Sequence, residues 1–213
     1  MVSDILGSTE FGDTYRNLSQ KHLMGYHWAM TFCPNSTYVL KADDDAFIDI
    51  DQLFEYVNRT YTLEDHNSGI LLCNVFPQGT KPSRDPQSKW FVSPEEYEPS
   101  TYPKYCGGLA YLITPNLIRR LYHEAAASGA KYFWVDDVFV TGILRELAKV
   151  DPFYLNLRYN YDAHKHRAWL REPMVRKAPF MVTHVERGHK FADEMRDLWN
   201  KCELFWGETR KHM

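Results

Sequence analysis

Residues 38–47 of the chain read YVLKADDDAF, a short β-rich run that ends in three consecutive carboxylates. Apolar residues then recur at helical spacing behind Asp49 or Asp51, either of which can cap a helix: Ile50, Leu53, Phe54 and Val57. This pattern predicts a strand and then a helix, with Asp43 to Asp45 at the carboxyl end of the strand. Ligands bind at that edge in open α/β sheets.

The remaining sequence continues this alternation. Further strands are predicted at 70–75, 109–114 and 179–182. Pro115 opens a helix that Gly129 follows, a second helix starts at Asp136, and a last one is capped by Asp193. The apolar face of the last helix comprises Met195, Leu198, Trp199, Cys202 and Phe205. The pattern predicts an α/β fold and, because no repeat or flexible linker interrupts it, a single domain over residues 1–213.

The composition excludes two classes of partner. The 213 residues carry 25 Lys and Arg against 28 Asp and Glu, a formal net charge of −3, without the basic patch of a nucleic-acid-binding protein. The charge-free stretch 105–118 is too short to span a bilayer. Val2 to Asp4 form neither a basic start nor an apolar core, so no signal peptide or anchor is present as written.

The run Asp43-Asp44-Asp45 has two interpretations. Three adjacent carboxylates repel one another unless water or a cation neutralises them. Side-chain alternation puts Asp43 and Asp45 on one side of an extended backbone, where they offer hard oxygen ligands to Mg²⁺ or Mn²⁺. The alternative is a solvated acidic turn that caps the next helix. The position at a strand end favours the metal site.

A second carboxylate pair and a histidine are further candidates. Asp136-Asp137 lies between apolar residues, which can raise one carboxyl pKa and provide a general base, although the pair can also be a helix cap. His184 ends the apolar segment 179–182 and is expected to point into the same cleft as the acidic run. His164 and His166 lack a complete zinc-ligand pattern. The basic residues after His184 are interpreted as a solvated turn.

Two features concern the compartment. Sequons at Asn17, Asn35 and Asn58 are candidate N-glycosylation sites, which require a lumenal or extracellular environment. The four cysteines can form two disulfides in any of three connectivities, or remain as buried thiols: Cys33, Cys73, Cys106 and Cys202. We expect a lumenal protein, and the missing signal or anchor then suggests a truncated chain.

Five segments, in order and in spacing, resemble glycosyltransferase family 31, the β-1,3-galactosyl- and β-1,3-N-acetylglucosaminyltransferases of the Golgi. They are 13–19 (DTYRNLS), Cys33-Pro34 with 38–47, 102–108 (YPKYCGG), 136–139 (DDVF), and 182–199 with its Val182-Thr183-His184, Glu194-Met195 and Leu198-Trp199. The resemblance covers nearly the whole chain. It begins at Asp4-Ile5-Leu6, part-way into the family's catalytic domain, so we expect the N-terminal nucleotide-binding strand, stem and membrane anchor to be absent.

The resemblance implies a GT-A-type nucleotide-sugar transferase fold, with a mixed central sheet flanked by helices. It implies a UDP-sugar donor and a Mn²⁺ ion held by three ligands, Asp43, Asp45 and His184. It implies that Asp137 is the catalytic base and that Lys41, Asp43 and Asp44 contact the donor. Asp49 stands where the family commonly has Asn, and Asp136 where many members have Glu; neither change removes a ligand.

An aromatic loop is the candidate acceptor site. Tyr102, Tyr105 and the pair Gly107-Gly108 either press against a sugar ring or form a turn packed on the core. Trp90, in the long connection 77–103, is a further candidate for acceptor contact.

Three hypotheses follow for the function. The first is an inverting, Mn²⁺-dependent β-1,3-glycosyltransferase that moves galactose or N-acetylglucosamine to a glycan on a glycoprotein or glycolipid. By resemblance, the complete protein is a single-pass type II Golgi membrane protein with a lumenal catalytic domain. The second is a non-catalytic sugar- or partner-binding relative, and the third is a metal-dependent phosphohydrolase.

Overall fold

The structure, a computed structural model, describes residue 12, residues 14–127 and residues 129–211. Asp4-Ile5-Leu6 and Asp13, at the start of the family resemblance, lie outside the described residues. The chain divides into two compact units. The first unit comprises Met1–Ser36, Phe76–Cys106 and Ile118–Asp151, and the second comprises Thr37–Val75, Gly107–Leu117 and Pro152–Met213. The expectation of a single catalytic domain stays a prediction.

The strands form two mixed sheets. In chain order they are β1 (Val39–Ala42), β2 (Ala46–Ile48), β3 (Leu71–Phe76), β4 (Tyr105–Ile113), β5 (Phe153–Tyr154), β6 (Tyr159–Asn160) and β7 (Val182–His184). The four-stranded sheet has the order β1-β4-β3-β5, with β1 antiparallel to β4 and β3 parallel to β5. The three-stranded sheet has the order β2-β7-β6, with β2 antiparallel and β6 parallel to β7. The mixed α/β class is therefore confirmed, with two sheets in place of one central sheet.

The four predicted helices are present, and three further helices were not predicted: Leu18–Phe32, Leu63–Ser68 and Ala163–Arg171. In chain order the helices are α1 (Leu18–Phe32), α2 (Ile50–Thr60), α3 (Leu63–Ser68), α4 (Pro115–Ala127), α5 (Asp136–Val138), α6 (Arg145–Leu147), α7 (Ala163–Arg171) and α8 (Phe191–Lys211). Between α5 and α6 the segment Phe139–Leu144 is π-helical, and 3-10 turns occupy Tyr15–Asn17 and Asn156–Arg158. Asp49 caps α2 as predicted, because its side chain accepts a hydrogen bond from the Gln52 backbone N–H at 3.0 Å.

Two details of α8 differ from the prediction. The helix begins at Phe191, so Asp193 lies in its first turn and is not its cap. Trp199 is 52% exposed, whereas Leu198, Cys202 and Trp206 are buried. These three residues are spaced four apart and lie on one helical face, and Trp199 falls on a neighbouring face.

Two apolar clusters stabilise the second unit. One contains Leu53 and Val57 of α2 with Leu72, Leu112 and Val182 from strands. The other packs the α8 residues Leu198 and Trp206 against Phe47, Trp169 and Phe180. Burial of these side chains fixes β2 and β7 between α2 and α8 of that unit.

The four cysteines have two different states. Cys73 in β3 and Cys106 in β4 are disulfide-bonded, whereas Cys33 and Cys202 are free thiols. Neither open alternative therefore holds for all four cysteines: two are disulfide-bonded, and of the two free thiols only Cys202 is buried. Cys202 is buried 3.6 Å from Asp49 Oδ2, and burial raises the pKa of its thiol.

Among the described residues, no helix has the length and apolar character needed to cross a membrane.

Candidate active site

The acidic run forms a tight turn in the second unit. Asp43 to Asp45 connect β1 to β2, and the Ala46 N–H donates to the Asp43 carbonyl at 3.1 Å. The Asp43 N–H donates to the Leu109 carbonyl at 2.9 Å, which ties the turn to β4. The predicted position at a strand end is confirmed. The expected helix comes only after β2, so the alternative of a turn that directly caps the helix is wrong.

Strand pairing brings Asp45 and His184 together. Ala46 of β2 lies opposite His184 of β7, and the Val185 N–H donates to the Asp45 carbonyl at 2.8 Å. His184 Nε2 lies 3.7 Å from Asp45 Oδ2, and both side chains are partly exposed. The predicted proximity of the acidic run to the strand that ends at His184 therefore holds for Asp45.

Two basic side chains neutralise the turn. Lys41 Nζ lies 2.6 Å from Asp43 Oδ1 and also donates to the Gly108 carbonyl. The Arg187 guanidinium hydrogen-bonds Asp44, and its Nε lies 3.4 Å from Asp45 Oδ2. These contacts, with the Asp44 bond first, raise the pKa of Arg187. Arg187 is 61% exposed, as expected of a solvated basic turn, and it also contacts two of the three aspartates.

Of the three predicted metal ligands, Asp45 and His184 lie together, and Asp43 lies apart from this pair. Within residues 14–127 and 129–211, no three His, Cys, Asp or Glu side chains lie close enough together to hold one metal ion. Asp45 and His184 supply a carboxylate and an imidazole, which fit two ligand positions of a divalent transition-metal ion. Asp43 is paired with Lys41 and does not complete a trio.

Asp137 lies at the start of α5 in the first unit. Its Oδ1 accepts from the Val138 N–H at 2.8 Å, and its carbonyl accepts from the Thr141 hydroxyl at 2.6 Å. The N-cap position of α5 is occupied by Val135, so the helix-cap interpretation of the Asp136-Asp137 pair is wrong. Asp136 Oδ2 instead lies 2.9 Å from Nδ1 of the buried His22. Asp137 is partly exposed.

The predicted acceptor residues Tyr102 and Tyr105 are buried. The Tyr105 ring stacks on Phe76 at a centroid distance of 5.1 Å, and Tyr102 meets Tyr105 edge to face. Burial, and then the Asp137 charge, raise the pKa of the Tyr102 hydroxyl, which therefore stays protonated at neutral pH. Gly107 is also buried, and Gly108 binds Lys41 through its carbonyl. Tyr105, Gly107 and Gly108 belong to strand β4, so the expected loop or turn is wrong for these three residues. Because Tyr102 and Tyr105 are buried, direct sugar contact by their rings is not supported.

Trp90 is the exposed member of the predicted acceptor set, at 42% exposure. Its ring stacks parallel to Trp134 at 6.4 Å, and Tyr15 meets it edge to face at 5.7 Å. Lys89 Nζ lies 5.0 Å from the centre of the Trp90 ring. Trp90 is thus a partly exposed aromatic ring that packs against Trp134 and Tyr15.

The three sequons have different accessibility. Asn35 is exposed in a turn, and Asn58 is exposed on α2. In the sequon of Asn17, the Ser19 side chain is fully buried and donates to the Phe133 carbonyl at 2.6 Å. Asn35 and Asn58 are thus accessible, whereas the sequon of Asn17 contains a buried serine.

A mixed α/β fold with a carboxylate–histidine pair at a strand end is consistent with a glycosyltransferase domain. The family model described as Galactosyltransferase matches residues 2–156. The chain belongs to this galactosyltransferase family.

Curated relatives agree with this assignment. The chain is 36% identical to beta-1,3-galactosyltransferase 5 of Pan troglodytes over 138 residues, 65% of this chain and 44% of that protein. It is 33% identical to beta-1,3-galactosyltransferase 2 of Mus musculus over 145 residues, 67% of this chain and 32% of that protein. It is 30% identical to the human lactosylceramide 1,3-N-acetyl-beta-D-glucosaminyltransferase over 193 residues, 91% of this chain and 47% of that protein. The chain thus spans less than half the length of these relatives.

Proposed function

We propose that this chain is the catalytic domain of an inverting hexosyltransferase of GT-A type. It transfers galactose or N-acetylglucosamine from a UDP-sugar to a glycan on a glycoprotein or glycolipid, in β-1,3 linkage. Membership in the galactosyltransferase family carries this proposal. The names of the relatives, which are 1,3-galactosyl- and 1,3-N-acetylglucosaminyltransferases, support the linkage and the two donor sugars.

The proposed donor side uses the acidic turn of the second unit. Asp45 and His184 would hold a divalent cation, preferably Mn²⁺. When bound, such an ion stabilises the negative charge that develops on the departing diphosphate. Lys41 and Arg187, which flank the turn, are positioned to add positive charge for the same group. Asp43 and Asp44 fix these two cations and in this way contribute to donor binding.

The proposed base is Asp137. As the acceptor oxygen attacks the anomeric carbon, the bond from that carbon to the diphosphate oxygen breaks and the acceptor proton passes to the Asp137 carboxylate. A single displacement inverts the anomeric centre, with charge development like that of glycoside hydrolysis. The bond from the Val138 N–H orients the Asp137 carboxylate for this transfer, and the Thr141 hydroxyl holds the Asp137 backbone carbonyl.

The proposed compartment is the Golgi lumen, with the complete protein anchored in the membrane. The disulfide-bonded Cys73 and Cys106 support an oxidising environment. The exposed sequon at Asn35 supports access to the glycosylation machinery.

The test is sugar transfer from labelled UDP-galactose or UDP-N-acetylglucosamine to lactose, with Mn²⁺. We expect Asp137→Asn to lower the rate by about 10²–10⁴-fold without changing UDP affinity, because the base acts on the acceptor. Asp197→Asn, an exposed aspartate of α8, is the matched control and should keep the full rate. Full activity of Asp137→Asn would contradict the role of Asp137. Hydrolysis of p-nitrophenyl phosphate without any sugar transfer would instead support a phosphohydrolase.

A further inference from the structure

The register of the three-stranded sheet places Tyr161 beside His184. Strands β6 and β7 are parallel, and Asn160 lies opposite Thr183. Tyr161 directly follows Asn160, as His184 directly follows Thr183. Tyr161 directly follows the last residue of β6, and neighbouring strands lie about 4.8 Å apart, so the chain leaves β6 at Tyr161 beside the end of β7 at His184.

The two side chains also share a face of the sheet. Asn160 Nδ2 donates to Thr183 Oγ1 at 2.8 Å, which shows that paired residues of β6 and β7 point the same way. Successive side chains alternate between faces. By this alternation Tyr161 and His184 share the face opposite the Asn160–Thr183 bond, and His184 lies 3.7 Å from Asp45 Oδ2.

The Tyr161 ring is held in place from two sides. Tyr159 lies behind it, with ring centroids 6.4 Å apart and an interplanar angle of 23°, and the Tyr159 hydroxyl donates to the Ala110 carbonyl at 2.5 Å. Asn74 Nδ2 of β3 donates to the Tyr161 hydroxyl at 3.2 Å. Even so, Tyr161 is 51% exposed. The chain thus keeps a fixed, half-exposed aromatic ring beside a carboxylate–histidine pair.

We propose that Tyr161 and Asn74 form a binding surface for a hexopyranose ring next to Asp45 and His184. This surface, the Tyr161 platform, joins a flat apolar face to a hydroxyl and an amide. The combination matches a sugar, whose ring has apolar C–H groups on its face and hydroxyl groups around its rim. Binding sites for small polar molecules typically combine an aromatic wall with a few fixed hydrogen-bonding groups.

The Tyr161 platform adds a sugar-binding surface to the proposed function. The identity of the bound sugar rests on that proposed function. The bound ring can be the hexose of the donor or the hexose of the acceptor, because the recognition chemistry is the same. Measurements on UDP, UDP-galactose and lactose separate these two sources.

The experiment measures binding and not turnover. Calorimetry with Mn²⁺ gives the affinities of the chain for UDP and for UDP-galactose, and saturation-transfer NMR detects contact with lactose. We expect Tyr161→Ala to leave UDP affinity unchanged and to weaken one sugar-containing ligand by roughly twofold to tenfold, the range of an aromatic contact. Weaker binding of UDP-galactose by Tyr161→Ala assigns the surface to the donor sugar, and weaker binding of lactose assigns it to the acceptor sugar. Asn74→Ala should weaken the same ligand, and Tyr161→Phe should retain part of the binding.

Tyr154→Ala is the matched control. Tyr154 is 57% exposed and lies in β5, a few residues before Tyr161 in the chain. Its strand partner is Cys73, which directly precedes Asn74 in β3, so Tyr154 and Asn74 point to opposite faces of that sheet. Unchanged affinity of Tyr161→Ala for both UDP-galactose and lactose would overturn the proposal, as would an equal loss in Tyr154→Ala. If the unmodified chain transfers no sugar, only the proposed function is contradicted, because the ring-binding result is obtained without turnover.

Discussion

At the scale of single residues, Asp43 and Asp45 differ although they share one turn. Asp43 is paired with Lys41, with Nζ and Oδ1 2.6 Å apart. Asp45 lies 3.7 Å from the imidazole of His184 and 3.4 Å from Nε of Arg187. A cation that binds between Asp45 and His184 displaces this longer Arg187 contact and gains two protein ligands, whereas Asp43 would have to release the shorter Lys41 contact. The two carboxylates should therefore contribute unequally to metal binding.

This difference gives the first prediction. Asp45→Asn and His184→Ala should each weaken Mn²⁺ binding in the presence of UDP by at least about tenfold, since even residues that only support metal ligands contribute that much. Asp43→Asn should weaken it less, because Asp43 acts through Lys41. Isothermal titration calorimetry measures all three affinities. Equal losses of Mn²⁺ affinity in the three variants would contradict the pairing described here. Unchanged Mn²⁺ affinity in all three would contradict the metal site itself.

Part of the candidate site could be predicted from residue patterns, and part could not. The acidic run and the strand that ends at His184 are visible in the sequence, because each is a local pattern. Burial of Tyr102 and Tyr105 is not, because a tyrosine suits a core and a sugar site equally well. Tyr161 was not predicted at all, since its place beside His184 depends on the register of β6 and β7. A two-residue strand gives too little periodic signal to reveal that register.

At the scale of elements, one buried carboxylate connects α8 to the start of α2. Asp49 accepts from the Gln52 backbone N–H at 3.0 Å and from Trp206 Nε1 at 2.9 Å. The Gln52 amide also donates to the Ala178 and Phe180 carbonyls. Because Asp49 directly follows β2, this network fixes the strand that places Asp45 opposite β7.

The second prediction tests this connection. Trp206→Phe keeps an aromatic ring but removes the N–H that binds Asp49, so it should lower the free energy of unfolding by about 1.5–3 kcal/mol. Urea denaturation of the variant measures the change. Trp199→Phe, on an exposed side of the same helix, should change stability by less than about 0.5 kcal/mol. A similar loss in both variants would mean that the Asp49 bond has no special role.

The third prediction concerns the π-helical segment between α5 and α6. A Cβ atom at Gly142 would lie 3.2 Å from Pro103 Cγ and 3.2 Å from Tyr105 Cβ. Gly142→Ala should therefore overpack this contact and destabilise the fold by about 1–3 kcal/mol.

The control is Gly207→Ala in α8, where a Cβ atom would meet nothing within 4 Å. This change should instead stabilise the chain by about 0.5–1 kcal/mol, because glycine is unfavourable inside a helix. Thermal unfolding of both variants shows whether each substitution raises or lowers the stability of the fold. A gain in stability for Gly142→Ala would show that the π-helical segment has more room than the structure indicates.

At the scale of the whole molecule, the sequence pattern predicted the α/β class but not the division of the strands. The alternation of strands and helices is a local signal and was read correctly. The number of sheets depends on which strands pair, and the acidic turn carries the chain from β1 in one sheet to β2 in the other. A turn of three residues gives no sequence signal for such a change of sheet.

The proposed activity of this chain includes inversion of the anomeric centre of a hexose during transfer. The most direct test is proton NMR of the product formed from UDP-galactose, in which galactose has the α configuration, and lactose with Mn²⁺. We expect a new anomeric signal with the large coupling constant of a β-galactoside, and a long-range correlation to carbon 3 of the acceptor sugar. An α-linked product, or release of free galactose without any new linkage, would contradict the proposed activity.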